Sequence, residues 1–161
     1  MNGFRPHRCH MCELSCSAFH EGVYRPSVAR LFSEVNPATA VMKGHTCLQS
    51  GCAKCEEVCL PGAIRRKVIS VTPKGDCDAK VKGGDSVSGY VLVVDAEKCT
   101  NCGDCYDVRP TSVICEHPER HVAFKCDHCD GDPQCITFCQ NPHVFAVDLK
   151  VDKADKALAE A

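Results

Sequence analysis

Sixteen of the 161 residues are cysteine, and fourteen of these fall into four tight groups. The first is Cys9, Cys12 and Cys16, in "CHMCELSC". The second is Cys47, Cys52, Cys55 and Cys59, in "CLQSGCAKCEEVC". The third is Cys99, Cys102 and Cys105, in "CTNCGDC", and the fourth is Cys126, Cys129, Cys135 and Cys139, in "CDHCDGDPQCITFC"; Cys77 and Cys115 stand alone. Sulfurs at two- and three-residue intervals constrain the fold more than any hydrophobic pattern does. Disulfides are a poor answer, because many equally close partners would compete. Zinc sites usually pair one Cys-x2-Cys with a second pair further on. A triplet such as "CTNCGDC" wraps three corners of an iron–sulfur cube and leaves the fourth corner to a remote cysteine.

Composition favours the same answer. The 44% hydrophobic fraction includes the cysteines; without them roughly a third of the chain is apolar, a thin supply for a core of this length. There is no Trp, and there are three Tyr and six Phe. Something besides side-chain burial has to hold the fold. The N-terminus lacks a signal-type apolar run, and no segment is long enough to span a membrane. These features predict a cytoplasmic chain with reduced thiols, the alternative being export with a signal-bearing partner. No phosphate-cradling glycine loop and no catalytic triad is present, so no catalytic residue and no enzymatic step are expected.

The groups read as an internal duplication: two dense motifs, a spacer, then two more. Steps such as "CEEVC" and "CITFC" set two sulfurs one helical turn apart. "KVISV" (Lys67 to Val71) and "SGYVLVVD" (Ser88 to Asp95) predict strands, with a solvated hairpin loop between them. "HVAF" (His121 to Phe124) and "HVFAV" (His143 to Val147) predict short ones. "DKADKALAEA" predicts a C-terminal helix, either a frayed tail or a docking helix.

Four such motifs resemble the four-cluster ferredoxin-like electron-transfer subunits of molybdenum and tungsten oxidoreductases, among them the dimethyl-sulfoxide-reductase-type and tungsten aldehyde oxidoreductase-type complexes. The opening "CHMCELSCSAFHEGVYRPSVARL" is similar to that family's first motif, and the resemblance runs from about Cys9 to Val147. It implies an α+β fold: a duplicated ferredoxin-like domain over 1–147, made of two dicluster modules with short strands and helices around iron–sulfur clusters, and a helical tail over 148–161. It implies four [4Fe–4S] clusters. The family's pairing rule groups Cys9 and Cys12 with Cys139; Cys126, Cys129 and Cys135 with Cys16; Cys99, Cys102 and Cys105 with Cys59; and Cys47, Cys52 and Cys55 with whatever stands at position 109.

Three departures mark the chain off. Pro6 replaces the first motif's leading cysteine. The second motif's inner cysteine has moved, with Ser50 in its usual place. Arg109 replaces the third motif's last cysteine. Two clusters thus lack one family ligand each. Cys77 and Cys115 are the unassigned cysteines, and four cubanes would need sixteen thiolates. His7 or His45 could supply a ligand instead, or an incomplete site could hold a [3Fe–4S] cluster. Cys115, in "SVIC", also reads as an ordinary buried thiol, and Cys77, in its polar loop, as an exposed one.

The functional expectation is a carrier of single electrons between a catalytic molybdenum or tungsten subunit and a second redox partner, such as a flavoprotein or ferredoxin. The alternative is a zinc-binding structural or assembly module. The formal charge is −2; four oxidised cubanes would take it to roughly −10 and repel nucleic acid. "IRRK" (Ile64 to Lys67) reads as a solvated strand edge or a partner-docking patch. Arg109 is expected to raise the potential of the Cys47/Cys52/Cys55 cluster. A linear array has two ends, so self-association end to end is a further expectation.

Overall fold

The two longest strands among the described residues pair with each other. In the computed structural model, β3 (Ile64–Val71) and β5 (Val87–Val94) form an antiparallel ribbon, in register from Ile64 opposite Val94 to Val71 opposite Val87. The described residues are 9–47, 49, 52–71, 80–81, 87–108, 113–140 and 146–147. Pro6, His7, Ser50, Cys77, Arg109 and the 148–161 tail lie outside them.

Alternation along β5 sends Val91 to one face of the ribbon and Tyr90 and Leu92 to the other, and all three are buried. Each face carries its own small core. On one, Val91, Ile69 and Val71 pack with Leu31, Ile136, Cys12 and Cys16, and Cys135 and Cys139 join at the edge. On the other, Tyr90, Leu92 and Ile64 pack with Ile114, Ala123, Cys55 and Cys105, with Cys59 and Cys99 at the edge. The ribbon therefore separates the first and fourth cysteine motifs from the third and from Cys55 and Cys59 of the second. Strand β3 starts three residues before the expected Lys67. Its basic residues stay in the ladder because their charged ends reach solvent: Arg66 lies 4.7 Å from the centre of the Tyr90 ring and meets Glu56 at 3.2 Å.

Before the ribbon come α1 (Met11–Glu21), a 3-10 turn at Pro26–Val28, and the hairpin of β1 (Leu31–Val35) and β2 (Met42–Thr46). Gly22 ends α1 at φ 69°, its N–H bonded to the Ala18 carbonyl, a conformation glycine adopts without the Cβ penalty. Asn36 closes the hairpin: its Oδ1 accepts from the N–H of Ala38 at 2.9 Å and of Thr39 at 3.2 Å. This hairpin was not expected, since "LFSEV" and "MKGHT" lack a clean two-residue alternation.

Three one-turn helices carry one cysteine each: α2 (Lys54–Glu57) and α4 (Gln134–Thr137) at the predicted Cys-x3-Cys steps, and α3 (Asp104–Asp107), whose Cys105 begins no such step. Strand β6 (Cys115–Glu116) pairs with β7 (Ala123–Phe124). Strand β4 (Lys80–Val81) pairs in parallel with β8 (Ala146–Val147). The spacer expected as a loop thus contains a short strand at Lys80–Val81. Among the described residues the strands make four two-stranded sheets, and no helix is long and apolar enough to cross a membrane.

The N-terminal third is clasped to the C-terminal third by charge: Arg25 to Glu119 at 2.7 Å, Arg120 to Glu21 at 2.6 Å and Arg30 to Asp127 at 2.5 Å. A tighter contact joins the fourth motif to the ribbon. Gly131 has φ +104°, and a Cβ there would stand 2.3 Å from the Ser70 carbonyl oxygen. Gly131→Ala is expected to cost about 2 kcal/mol or more in urea unfolding, through backbone strain and displacement of β3. A loss below about 0.5 kcal/mol would show that this loop shifts freely.

Candidate metal centres

Four sulfurs line one pocket on the second-motif face of the ribbon: those of Cys59, Cys99, Cys102 and Cys105. Three arrive locally, on the Cys99–Cys105 loop and α3; Cys59 arrives from the end of α2. Ile64, Val94, Ala123 and Tyr106 form much of the remaining wall. Two backbone amides donate to this group, Ala63 N–H to Cys59 Sγ at 3.2 Å and Ala123 N–H to Cys99 Sγ at 3.3 Å.

A second convergence lies on the opposite face. Cys135 feels the charge of Cys126, Cys129 and Cys16, Cys129 that of Cys126 and Cys16, and Cys16 that of Cys126. Cys16 projects from α1, and the rest from the 126–135 loop and α4. The Arg30 N–H donates to Cys16 Sγ at 3.3 Å, and the His128 N–H and the Thr46 side chain bond to Cys126. Beside this set, Cys12 lies within electrostatic reach of Cys9 and Cys139.

Left-handed backbone shapes these loops. Gln49 (φ 56°), Asn101 (φ 54°) and His128 (φ 58°) each precede the second position of their motif. His10 (φ 54°) follows the first cysteine of its motif and Gly103 (φ 87°) the second of its own, and each opens a helix. Such turns curl the chain back so that sulfurs and N–H groups face a common point.

The thiols themselves indicate what these points are suited to hold. Burial pushes Cys105 up to about 11, with the neighbouring thiolates of Cys99, Cys102 and Cys55 adding to it. Burial pushes Cys12 up to about 11 and Cys16 up to about 12, and raises Cys126, Cys129 and Cys135 as well. Thiolates crowded together in an apolar wall repel one another and resist ionisation. They become a stable arrangement when a cationic metal centre sits among them and takes each as a ligand. Four-sulfur donor sets with amide N–H groups aimed at the sulfurs fit an iron–sulfur cluster.

The second motif straddles the two faces. Buried Cys47 lies near Cys126, whereas fully buried Cys55 lies near Cys105; Cys52 is half-buried between them in sequence. Exposed Cys115 sits on β6 opposite Phe124, and burial of its sulfur raises it. His45 sits on β2, stacked on Phe32 and 3.4 Å from Glu34. Cys9 and Cys102 are the exposed members of their groups.

Several supporting residues were invisible in the spacing. His20 Nε2 lies 3.5 Å from Cys129 Sγ and 3.3 Å from Asp127 Oδ1. This trio has cation-binding chemistry, but Asp127 is already engaged by Arg30 and by the Cys129 N–H. Although burial opposes it, the His20 hydrogen bond and the Arg30 charge hold the Asp127 carboxyl down at about 2. Gln49, 4% exposed, pairs its amide with Leu92 like a strand: Oε1 accepts from Leu92 N–H at 3.0 Å, and Nε2 donates to Leu92 O at 3.1 Å and to Cys126 O at 2.5 Å. Lys125, 2% exposed, donates to the same Leu92 oxygen at 2.7 Å.

No family model matches the chain. It is similar to the polyferredoxin-like subunit of an aliphatic sulfonate oxidoreductase from Pyrococcus furiosus, with 32% identity over 132 residues, 81% of this chain and 64% of that protein. It is also similar to the polyferredoxin protein MvhB of Methanothermobacter thermautotrophicus, with 36% identity over 64 residues, 40% of this chain and 15% of that protein. The chain therefore spans under two thirds of the length of these two relatives. Ferredoxin-1 of Rhodobacter capsulatus is 41% identical over 53 residues, 30% of this chain and 82% of its own length. Cysteine groups set on left-handed turns with amides aimed at sulfur, and this extent of identity to a ferredoxin, lead to one conclusion: the chain belongs to the ferredoxin-like iron–sulfur electron carriers.

Proposed function

We propose that the chain is a non-catalytic subunit that passes single electrons through a row of [4Fe–4S] clusters, between a catalytic oxidoreductase subunit bearing molybdenum or tungsten and a second redox partner. The observation that carries this is the convergence of two complete cysteine quartets on opposite faces of one ribbon. Cys59, Cys99, Cys102 and Cys105 would hold one cluster, and Cys16, Cys126, Cys129 and Cys135 another. Cys9, Cys12 and Cys139 would hold a third, and Cys47, Cys52 and Cys55 a fourth, each with a further ligand. The duplicated two-module arrangement is supported by the repeated left-handed turns and by the division of the motifs between the two faces. A bound cubane supplies one-electron chemistry with little change of shape. The chain's part is to bind it through thiolates, to donate N–H groups to its sulfur ligands and to limit water by apolar walls, all of which set the potential. Exposed Cys9 and Cys102 mark where electrons would enter and leave, and the compartment that suits such thiols is the cytoplasm.

The protein, purified without oxygen, is expected to contain about sixteen irons and as many acid-labile sulfides per chain. Zinc without sulfide would instead establish a structural module. Cys77 and Cys115 are the proposed candidates to complete the short-handed groups. Of the single variants Cys77→Ser and Cys115→Ser, at least one is expected to lose iron, and full iron in both would remove them as ligands. Arg109, a cation at a position where the family places a cysteine, is proposed to raise the potential of the Cys47/Cys52/Cys55 cluster. Titration of Arg109→Gln by electron paramagnetic resonance is expected to show one potential lowered; unchanged potentials throughout would sink that assignment.

A further inference from the structure

A cavity of about 220 Å³ opens between the ribbon and the 120–130 segment, and no cysteine lines it. Five cations do: Arg30, Arg65, Lys67, Arg120 and Lys125. Arg120 and Arg65 meet carboxylates outside the wall, Glu21 at 2.6 Å and Asp95 at 4.0 Å, and Asp127 and Asp130 are the carboxylates within it. Both carboxylates are already engaged, Asp127 by Arg30 and Asp130 by Lys67. The charge deepest in the wall is the least compensated. Lys125 is 2% exposed, and Leu92 O is the acceptor its ammonium meets among the described residues, although an ammonium carries three donors. Arg30 adds a buried Nε with no hydrogen-bond partner among them. Buried donors are normally satisfied, and concentrated positive charge selects an anion to satisfy them.

We propose that this cavity binds a small tetrahedral oxyanion of the phosphate or sulfate class. Its size and concavity suit a free ion rather than a polymer, whose backbone could not bring a phosphate to buried Lys125. The position gives the ion a consequence, which rests on the function proposed above. Two wall residues donate backbone N–H groups to cysteines of different quartets, Ala123 to Cys99 and Arg30 to Cys16. An anion held there adds negative charge beside both groups. It binds the oxidised protein more tightly than the reduced, and by reciprocity it lowers the potentials.

Calorimetric titration of the anaerobic holoprotein with inorganic phosphate, and separately with sulfate, at constant ionic strength in chloride, tests the site. One-to-one saturable binding is expected. Affinity should fall at least tenfold in the double variant Arg65→Gln/Lys67→Gln, which changes exposed rim residues and spares Lys125. Iron content and melting temperature, measured on the same samples, should not change. Saturating phosphate should lower the potentials of the two neighbouring clusters, by about 59 mV for each tenfold difference in affinity between redox states. Absence of saturable binding overturns the proposal, as does binding that the double variant leaves intact. Weakened association of the double variant with its redox partner, without phosphate binding, overturns it in favour of a docked acidic side chain. Because iron and sulfide are assayed independently, an iron-loaded protein that ignores phosphate sinks only this inference. A zinc protein that binds phosphate sinks only the cluster-chain reading.

Discussion

Cys16→Ala is expected to remove about a quarter of the iron, one cubane of four, and to loosen the N-terminal helix from the rest of the chain. The sulfur leaves α1 at a point 3% exposed, takes an N–H from Arg30 and lies within electrostatic reach of Cys126, Cys129 and Cys135. In the proposed ligand set, this residue is one of two covalent links between the first motif and the fourth, the other being the cluster of Cys9, Cys12 and Cys139. The ion pairs of Arg25, Arg30 and Arg120 clasp the same two regions, but the Arg25 and Arg120 pairs are largely exposed, and such pairs contribute at most about 1 kcal/mol each. They should hold the helix nearby without fixing it. The variant should therefore lose one paramagnetic centre together with amide protection along α1. Val28→Ala is the control for packing alone. Val28 is fully buried, and its truncation should cost about 2 kcal/mol with iron unchanged. Full iron and an unaltered spectrum in Cys16→Ala would exclude Cys16 as a ligand.

What was legible in the sequence was what is local. Cys-x3-Cys spacing announces a helical turn, and α2 and α4 carry such steps. Val91 and Leu92 belong to an apolar run strong enough to predict β5, because a strand covered on both faces has no polar alternation to break it. The basic "IRRK" obscured the start of β3, since its charged tips conceal a backbone that is fully paired. What was not legible was what long-range contact decides. Gln49 reaches Leu92 across 43 residues of sequence, and Arg25 reaches Glu119 across 94. No spacing rule encodes such meetings, because each is a by-product of two cysteine loops closing on opposite sides of one ribbon. The oxyanion cavity has the same origin: its cations are scattered from Arg30 to Lys125 and gather only in the folded chain.

Removal of iron by a chelator under reducing conditions is expected to abolish the cooperative thermal transition rather than merely lower its midpoint. Neither core can stand alone. The one built on Ile69, Val71 and Val91 includes Cys12 and Cys16 among its eight buried members, and the one built on Ile64, Tyr90 and Leu92 includes Cys55 and Cys105 among seven. Replacing a cluster by empty space leaves those sulfurs beside a void, which costs packing energy in proportion to its volume. It also removes the cross-links between segments as distant as Cys16 and Cys135. Structural metal sites can contribute about 10–16 kcal/mol to folding, as much as the whole stability of a domain of ordinary size. The hydrogen-bonded ribbon of β3 and β5 is the element with most to retain, yet a two-stranded hairpin is marginal in water by itself. The metal-free chain should keep some far-ultraviolet strand signal, lose its near-ultraviolet signal from tyrosines such as buried Tyr90, and exchange its amides rapidly. Recovery of both signals on reconstitution with iron and sulfide, and not with zinc, would tie the fold to the clusters. A metal-free protein that still melts cooperatively within a few degrees of the holoprotein would show that the side chains alone suffice.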